Sequence, residues 1–176
     1  MDVIVPVGAL VETARLVRER QFLDQPVLGF GGAASMVNPI SGYQVGAALR
    51  FAPVVARALA TALDDGAHSP ENLARTGWQA LWPRQRLRRR ALYLFGLANV
   101  LRFDVRQTQD FFGAFFDLSR PQWSGYLSDT LSTPELLQAM LNLYRLAPAH
   151  VRGALTTSVF FAGEDLLRAA RQEFIS

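Results

Sequence analysis

The chain has 176 residues, of which 50% are hydrophobic and 19% are charged, and its net charge is +3. This balance excludes an intrinsically disordered protein and fits one compact domain with a core of its own. The sequence has no cysteine, which excludes disulfides and thiolate metal sites, and its two histidines, His68 and His150, lie far apart. We therefore expect no metal site and no histidine-based catalytic triad.

Residues 1–25 do not predict a single structure, because VIVPV could be a strand and VETARLVRERQF could be a helix. An acid at position 2 and the lack of a basic region argue against a signal peptide. The longest apolar run without arginine, residues 91–101, is too short to cross a bilayer. We therefore expect no transmembrane helix.

Residues 26–31, PVLGFG, predict a short buried strand that ends in glycines. A helix should follow, because apolar residues recur at helical spacing from Val45 to Leu63. Pro53 falls inside this pattern. A proline in a helix interior costs about 3 kcal/mol, so we expect a kink or a new start near Ala52.

The rest of the chain is helical in pattern. Ser69 and Pro70 cap one helix, and Pro83 opens another. A further helix is predicted over residues 108–116. The run Ser-Thr-Pro-Glu at 132–135 is a capping box that starts the next one, with an apolar stripe at Leu136, Leu137, Met140, Leu141 and Tyr144. Pro148 should end it, and a last helix should run to about residue 174.

The segment PRQRLRRR carries five arginines: Arg84, Arg86, Arg88, Arg89 and Arg90. The favoured interpretation is a solvated helix face, and an anionic membrane surface is the main alternative. No stacking aromatics or recognition motif accompany the arginines, so we do not expect nucleic-acid binding.

The glycines of GFGGAA, which begin at Gly29, open two interpretations. A strand that ends in glycines before a helix can let a phosphate or cofactor approach the backbone and the free N–H groups of the helix start. The same residues can instead form a tight packed turn. The segment is not a GxGxxG fingerprint, and the pattern alone does not decide.

Three longer blocks carry more information: GFGGAASMVNPISGYQVGAALRFAPVVARAL, LWPRQRLRRRALYLFGLANVLRFDV and FFGAFFDLSRPQWSGYLSDTLSTPELL. In the first block, Pro39, Gly42 and Tyr43 follow the glycines at spacings that resemble the second flavin-contacting motif of hydroxylase-type flavoproteins. In order and spacing, the three blocks resemble the plant and cyanobacterial lycopene cyclases over about residues 26–147.

The resemblance implies a mostly α-helical chain, with short strands followed by a helical bundle. It would be the C-terminal part of an α/β, FAD-binding flavoprotein with a Rossmann-like domain of the hydroxylase type. Residues 1–25 match poorly, residues 26–66 would be the flavin-contacting strand, glycine turn and helix, and residues 67–176 would be a helical region associated with substrate and membrane.

The resemblance also implies an activity and its partners. The reaction is a non-redox, isomerase-class cyclisation of lycopene end groups to β or ε rings in carotenoid biosynthesis. The implied cofactor is FAD in its reduced form, with NADPH as the reductant. The implied partners are lycopene, or a related linear carotenoid, and a membrane surface on the cytoplasmic or thylakoid side, to which the protein would bind peripherally.

This chain departs from the family pattern. The family's GxGxxG fingerprint and its acidic motif both lie upstream of the resembling region, and nothing here matches them. Asn38 stands where the family usually has histidine, and Gly113 where many members have an acid. We therefore expect the C-terminal portion of a cyclase. The alternative is a truncated, non-catalytic helical remnant that binds carotenoid or membrane.

The resemblance also names candidate site residues. The flavin-facing candidates are Gly29, Gly31, Gly32, Ala33, Ala34, Asn38, Pro39, Gly42 and Tyr43. Turn packing is the alternative for the small residues, and a structural hydrogen bond is the alternative for Asn38 and Tyr43.

Two phenylalanine pairs, Phe111–Phe112 and Phe115–Phe116, are four residues apart, so on a helix Phe112 and Phe116 share a face. Core packing is the simpler interpretation. The alternative is an apolar wall for a polyene, joined by Trp123, where an aromatic face could also stabilise a cation.

No residue matches a known catalytic acid of the family. Asp117 directly follows the second phenylalanine pair and is the candidate that remains. Its alternative role is the N-cap of the segment PQWSGYL.

Overall fold

The fold was obtained as a computed structural model that describes residues 26–67 and 69–156. A single 3-10 turn, Gly31–Ala34, comes first. It is followed by α1 (Val45–Asp64), α2 (Pro70–Leu81), α3 (Arg84–Val100), α4 (Val105–Phe116), α5 (Arg120–Ser128) and α6 (Thr133–Leu146). Residues 149–156 are helical and are called α7 here. The predicted helical bundle is therefore confirmed over these ranges.

The strand predicted at residues 26–31 is wrong. Residues 26–30 are irregular, and Val27 and Phe30 are exposed rather than buried. No residue in the described ranges is in a strand, so the segment has no neighbour there with which to pair. Gly31 then takes a left-handed conformation, with φ of 63°, and the 3-10 turn begins. The Rossmann-like domain that the resemblance implies is thus not seen in this part of the chain.

Helix α1 runs unbroken through Pro53, so the predicted new start at Ala52 is wrong. Proline removes one N–H from the helix ladder and leaves a carbonyl without its donor. Pro53 lies on the exposed face of α1, where water can hydrogen-bond that carbonyl. By length and composition, α1 is the one helix of the described ranges that could cross a membrane, and 11% of its apolar window is buried.

Two helix starts follow the predicted capping chemistry. The Ser69 side chain accepts a hydrogen bond from the Asn72 backbone N–H at the start of α2. At α6, Ser132 and Glu135 form the predicted capping box, in which the Ser132 backbone N–H donates to a Glu135 carboxylate oxygen at 2.7 Å. Both caps satisfy N–H groups that have no partner within the helix.

Helix α4 begins three residues before its predicted start. Asp104 and Gln107 form a second capping box that the pattern analysis missed. The Gln107 N–H donates to the Asp104 carboxylate at 2.7 Å, and the Asp104 N–H donates to the Gln107 side-chain oxygen at 3.0 Å. A spacing of three between Asp and Gln was the available signal.

The described residues form two hydrophobic clusters. The larger joins helices α3 to α7 and includes Tyr93, Phe115, Tyr126, Leu136 and Val151. The smaller lies between residues 34–36, α1 and the C-terminal end of α2, and includes Ala34, Met36, Val55, Trp78 and Leu81. The segment after the 3-10 turn is therefore part of a packed core rather than a loose surface loop.

The inward stripe of α6 is narrower than predicted. Leu136, Ala139 and Leu143 are buried, whereas Leu137 is 49% exposed. Leu141 and Tyr144, also in the predicted stripe, are exposed as well. Spacing alone placed too many apolar residues on the buried face.

This difference gives a matched test of the core. Leu136→Ala should lower the free energy of unfolding by about 2–5 kcal/mol, because it removes a fully buried side chain and leaves a cavity. Leu137→Ala, one residue along the same helix, should cost less than about 1 kcal/mol. Urea unfolding followed by circular dichroism measures both. Equal losses would contradict the assignment of the buried face.

Candidate functional site

The glycine loop, residues 29–43, has an inner and an outer side. Gly31 and Ala34 are buried, whereas Gly32 and Ala33 are exposed. Gly42, with φ of 72°, lies on the exposed part as well. The outer side therefore presents bare backbone at Gly32 and Gly42, although the side chains of Phe30 and Tyr43 in the same loop are exposed as well. The buried pair packs against the smaller hydrophobic cluster.

Hydrogen bonds to distant elements hold the glycine loop in place. The Trp82 indole N–H donates to the Ala34 carbonyl at 3.0 Å, and the Ser41 hydroxyl donates to the Leu127 carbonyl at 2.7 Å. Trp82 itself is buried. Both bonds join the loop to helices that follow it by more than 45 residues, so the folded helical body fixes the shape of the loop.

Asn38 makes structural hydrogen bonds, which the sequence analysis gave as the alternative to flavin contact. Its side-chain oxygen accepts from the N–H groups of Ile40 and Ser41, at 2.8 and 3.2 Å, and its amide nitrogen donates to the Tyr126 carbonyl at 3.4 Å. The residue is 5% exposed. Both ends of the amide are thus used to shape the loop. Tyr43, in contrast, is 61% exposed.

The remaining flavin-facing candidates occupy intermediate positions. Gly29 and Pro39 are each partly buried. A methyl group added at Gly29 would lie 3.1 Å from the Ala33 carbonyl oxygen, so this glycine allows the chain to pass close to the 3-10 turn. Pro39 lines a small crevice behind the loop.

The solvated helix face predicted for the arginine run is wrong for three of its five members. Arg86 is only 3% exposed, and Arg89 and Arg90 are partly buried, while Arg84 and Arg88 are exposed. The Arg86 guanidinium lies over the ring of Phe51 at 3.7 Å and over that of Trp82 at 4.2 Å. Cation–π contact of this kind stabilises a cation that has been removed from water.

Backbone carbonyls at the ends of elements accept from these guanidinium groups. We call Arg50, Arg86, Arg89 and Arg90 the arginine cluster. Its members donate to the carbonyls of Ser128 (2.8 Å), Leu81 (2.7 Å), Leu131 (3.0 Å) and Val37 (3.0 Å), respectively. Leu81 and Ser128 are the last residues of α2 and α5, where carbonyls lack donors and the helix dipole favours positive charge.

Asp129 lies among these arginines and was missed by sequence reasoning. It is the C-cap of α5, in a left-handed conformation with φ of 53° that aspartate tolerates better than most residues. Burial raises the pKa of its carboxyl group, against the opposite effect of all four members of the arginine cluster. Burial likewise lowers the pKa of Arg86 to about 10, so Arg86 remains charged at neutral pH.

Asp129, Arg86, Arg90 and Tyr93 line the crevice together with the inner side of the glycine loop. The space is about the size of one water molecule, which is too small for a flavin ring. Within the described ranges, the Nε atoms of both arginines and the Tyr93 hydroxyl are buried without a hydrogen-bond partner. The residues that line the crevice, among them Trp82 and Arg90, therefore anchor the glycine loop.

The sequence does contain a signal for the arginine cluster, which is the lack of an acidic residue among the arginines of PRQRLRRR. The run of five arginines contains no acid, so any arginine that turns inward needs acceptors from elsewhere in the chain. The sequence does not say which acceptors those are. Only the fold brings Asp129 and the ends of α2 and α5 to α3.

The four phenylalanines divide between the two interpretations. Phe115 is 3% exposed and contacts Tyr126 edge to face, with ring centroids 5.4 Å apart, so it belongs to the core. Phe111 is partly buried against that core. Phe116 is 56% exposed and Phe112 is 38% exposed, and the Phe116 ring contacts Trp123 at 5.8 Å. Among the described residues, the outward side chains form an open apolar surface.

Asp117 does not cap α5. It is the C-cap of α4, it is exposed, and the N-cap of α5 is Ser119. The N-cap alternative is therefore wrong. Among the described residues, no cluster of His, Asp and Glu could hold a metal ion.

The outer side of the loop fits the approach of a flat group. A methyl group added at Gly32 would meet only the Gln44 side chain, at 3.6 Å, and one added at Gly42 would meet no atom within 4 Å. Exposed backbone with small residues beside the start of α1 leaves room for a flat group such as a flavin ring. The described residues offer no strand–turn–helix unit for the adenine and pyrophosphate.

The buried carboxyl gives a test in solution. Because the folded-state pKa of Asp129 is raised above its ordinary value of 3.8, its contribution to stability is complete below that pH and is lost as pH rises through the folded value. In the variant Asp129→Asn the side-chain amide cannot titrate, and asparagine also tolerates the left-handed cap. The melting temperature of Asp129→Asn relative to the wild type should therefore increase between pH 4 and pH 7.

Asp117→Asn, at an exposed C-cap, is the control for the loss of one carboxylate. Thermal unfolding of the three proteins at each pH measures the difference. A relative melting temperature for Asp129→Asn that falls as pH rises would show instead that the arginines dominate the environment of Asp129.

Comparison with known proteins gives consistent matches. Residues 5–153 match the profile of the family described as lycopene cyclase protein. A protein named lycopene beta cyclase from Synechococcus elongatus is 48% identical over 134 residues, which are 76% of this chain and 33% of that protein. The lycopene beta cyclase of Capsicum annuum is 43% identical over 123 residues, 69% of this chain and 25% of that protein.

A third relative, described as an uncharacterized carotenoid cyclase of Deinococcus radiodurans, is 39% identical over 126 residues, 72% of this chain and 30% of that protein. No solved structure matches. The chain thus spans between a quarter and a third of the length of these relatives. Since the family profile covers most of its residues, the chain belongs to the lycopene cyclase family.

Proposed function

We propose that this chain supplies the C-terminal portion of a lycopene cyclase, which closes the end groups of lycopene into β or ε rings. The observation that carries the proposal is 48% identity to a named lycopene beta cyclase over a segment that includes most of the described residues. The geometry of the glycine loop supports it, because a preformed, bare surface is what such a segment would offer to a cofactor.

In this proposal the outer side of the glycine loop, at Gly32, Ala33, Gly42 and Tyr43, holds FAD. When bound, reduced FAD would supply an electron-rich ring beside the cation that forms when a lycopene end group is protonated, with NADPH as the reductant. The protein's part is to position that surface. Asn38 shapes the loop from within, and Arg90 and Trp82 fix its carbonyls.

The polyene would lie on the apolar surface formed by Phe112, Phe116 and Trp123. These side chains are partly or largely exposed, whereas Phe115, on α4 between Phe112 and Phe116, is buried in the core. Aromatic and aliphatic side chains are the usual lining of sites for apolar ligands. An aromatic face could also stabilise positive charge on a reacting end group.

Peripheral binding to a membrane surface is part of the proposal because the substrate is lipid-soluble. The arginine run offers less than expected for this purpose, since only Arg84 and Arg88 of its five members are exposed. The guanidinium groups of Arg89 and Arg90 are held by backbone carbonyls. Contact with lipid is therefore better sought at exposed apolar side chains such as Phe116.

A chimera tests the cyclase proposal. The region of the Synechococcus relative that matches this chain is replaced by this chain, and the product is expressed in cells that accumulate lycopene. The chimera should make cyclic carotenoid and retain FAD through purification. The isolated chain should retain none, because its described residues offer no strand–turn–helix unit for the nucleotide. An inactive chimera that folds would favour the non-catalytic remnant.

Glycine variants in the same chimera locate the flavin. Gly32 does not have a positive φ, and its added methyl group meets no backbone, so Gly32→Ala should change the stability of the isolated chain by less than about 0.5 kcal/mol. Gly32→Val should abolish flavin retention and cyclic products while the chimera still melts cooperatively. If the valine variant keeps its flavin, the outer side of the loop is not the contact.

Paired phenylalanine variants locate the polyene. Phe115→Ala should destabilise the isolated chain by about 3–5 kcal/mol, because it empties a core position. Phe116→Ala should cost less than about 1 kcal/mol, and in the chimera it should lower the yield of cyclic carotenoid at unchanged flavin content. Carotenoid extraction and absorbance spectra report the yield, and urea unfolding reports the stability. Unchanged yield with Phe116→Ala would remove this surface from the substrate path.

A further inference from the structure

Helix α1 has an unusual outer face for a surface helix. Its inner face packs on α2 through Ala47 and Val55, yet Val45 and Leu49 on the opposite side are 73% and 72% exposed. A helix at the surface of a globular protein normally carries polar residues on the side away from the core. Here the outer side is apolar as well, so it is a face that another element should cover.

The outermost positions repeat at helical spacing. Leu49, Pro53, Ala56 and Ala60 follow one another at intervals of four, three and four residues, and all four are exposed. Gly46 precedes them on the same side. Arg50 and Arg57 lie along one edge of this face, and the Arg57 side chain donates to the Pro53 carbonyl at 3.4 Å. We call the set of Gly46, Leu49, Pro53, Ala56 and Ala60 the α1 outer face.

The composition of the α1 outer face favours protein over lipid. Most of its side chains are small, so a packed backbone or side chain could approach α1 closely, as interiors at native density require. Arg57 at its edge would be costly in hydrocarbon, whereas a protein partner can hydrogen-bond it. A lipid-facing helix would carry larger apolar side chains throughout.

The α1 outer face continues into the glycine loop. Helix α1 begins at Val45, directly after the exposed residues Gly42 and Tyr43. An element that covers Gly46 and Leu49 therefore also borders the outer side of the loop. The matched region is only 33% of the Synechococcus relative and 25% of the Capsicum relative, so most of a cyclase lies outside it.

From these observations we propose that the α1 outer face is the docking surface for the remaining portion of a lycopene cyclase, which closes over the glycine loop. The proposal rests on the proposed function for the identity of the partner. It assigns α1 to an interface inside the complete enzyme rather than to a bilayer. The docked portion would bury the loop's bare backbone together with whatever is bound there.

Single cysteines make the test direct, because this chain has none of its own. Ala56→Cys reports on the α1 outer face, and Leu137→Cys, at a 49% exposed position of α6, is the matched control. Both residues are exposed, so neither change should alter the melting temperature of the isolated chain. The rate of maleimide labelling at each position is measured in the isolated chain and in the chimera, with sites identified by peptide mass.

Labelling at position 56 should be at least about tenfold slower in the chimera than in the isolated chain, as expected when an exposed side chain becomes buried in a packed interface, with no such change at position 137. Equal rates at position 56 would overturn the proposal. Two further outcomes would also overturn it, each with no protection of position 56 in the chimera. In the first, phosphatidylglycerol vesicles protect position 56 of the isolated chain. In the second, a higher concentration of the isolated chain protects it. These two outcomes would assign the face to a membrane or to a second copy.

A chimera that does not melt cooperatively is replaced by the full-length Synechococcus relative with cysteine at the position aligned with Ala56. Free labelling there, as fast as in the isolated chain, would equally overturn the proposal. The labelling readout requires neither flavin nor cyclisation. A protected position 56 in a chimera that makes no cyclic carotenoid would uphold the docking surface while the proposed function failed.

Discussion

Three guanidinium groups of α3 turn away from water, and the rest of the structure has to supply their acceptors. A buried cation is costly unless it is hydrogen-bonded or paired. The chain meets this requirement mainly with backbone carbonyls: Arg86 bonds to the end of α2, Arg89 to Leu131 and Arg90 to the glycine loop. The carbonyl of Leu81 lies at the end of α2, where it has no donor within the helix, so the bond from Arg86 supplies one. One helix thereby fixes the relative positions of three other elements.

The buried side of the glycine loop is held by hydrogen bonds, one of them from Arg90 of α3, whereas the outer side is exposed. Its buried side is held by Arg90, Trp82 and Asn38, each through a backbone carbonyl. Its outer side carries no comparable contacts with the described residues. A surface whose conformation is already fixed does not have to be ordered when a ligand binds, which removes one of the costs of association. The hydrogen bonds of the buried side therefore hold the backbone of the outer side in a fixed conformation.

Local sequence signals predicted where helices begin, but they did not predict which residues are buried or which residues contact one another across the fold. Ser69 and the Ser132–Glu135 box mark helix starts because capping involves residues three apart, which a sequence shows directly. The strand at 26–31 failed because apolar character between glycines does not reveal whether a neighbouring strand exists. Asp129 was missed because its arginine partners lie far from it in the chain and only the fold brings them together. The family resemblance found the glycine loop, but it did not distinguish buried Gly31 from exposed Gly32.

Exposure in this chain has two different causes. Scattered apolar residues such as Leu137 are ordinary on a protein surface. The face of α1 differs because its apolar positions are contiguous, small and adjoin the loop, and such patches mark contact sites. Within the described residues, the polar anchors of the loop are internal to this chain, whereas its apolar surroundings are incomplete. That division agrees with the proposal that the rest of a cyclase packs against this side of the loop.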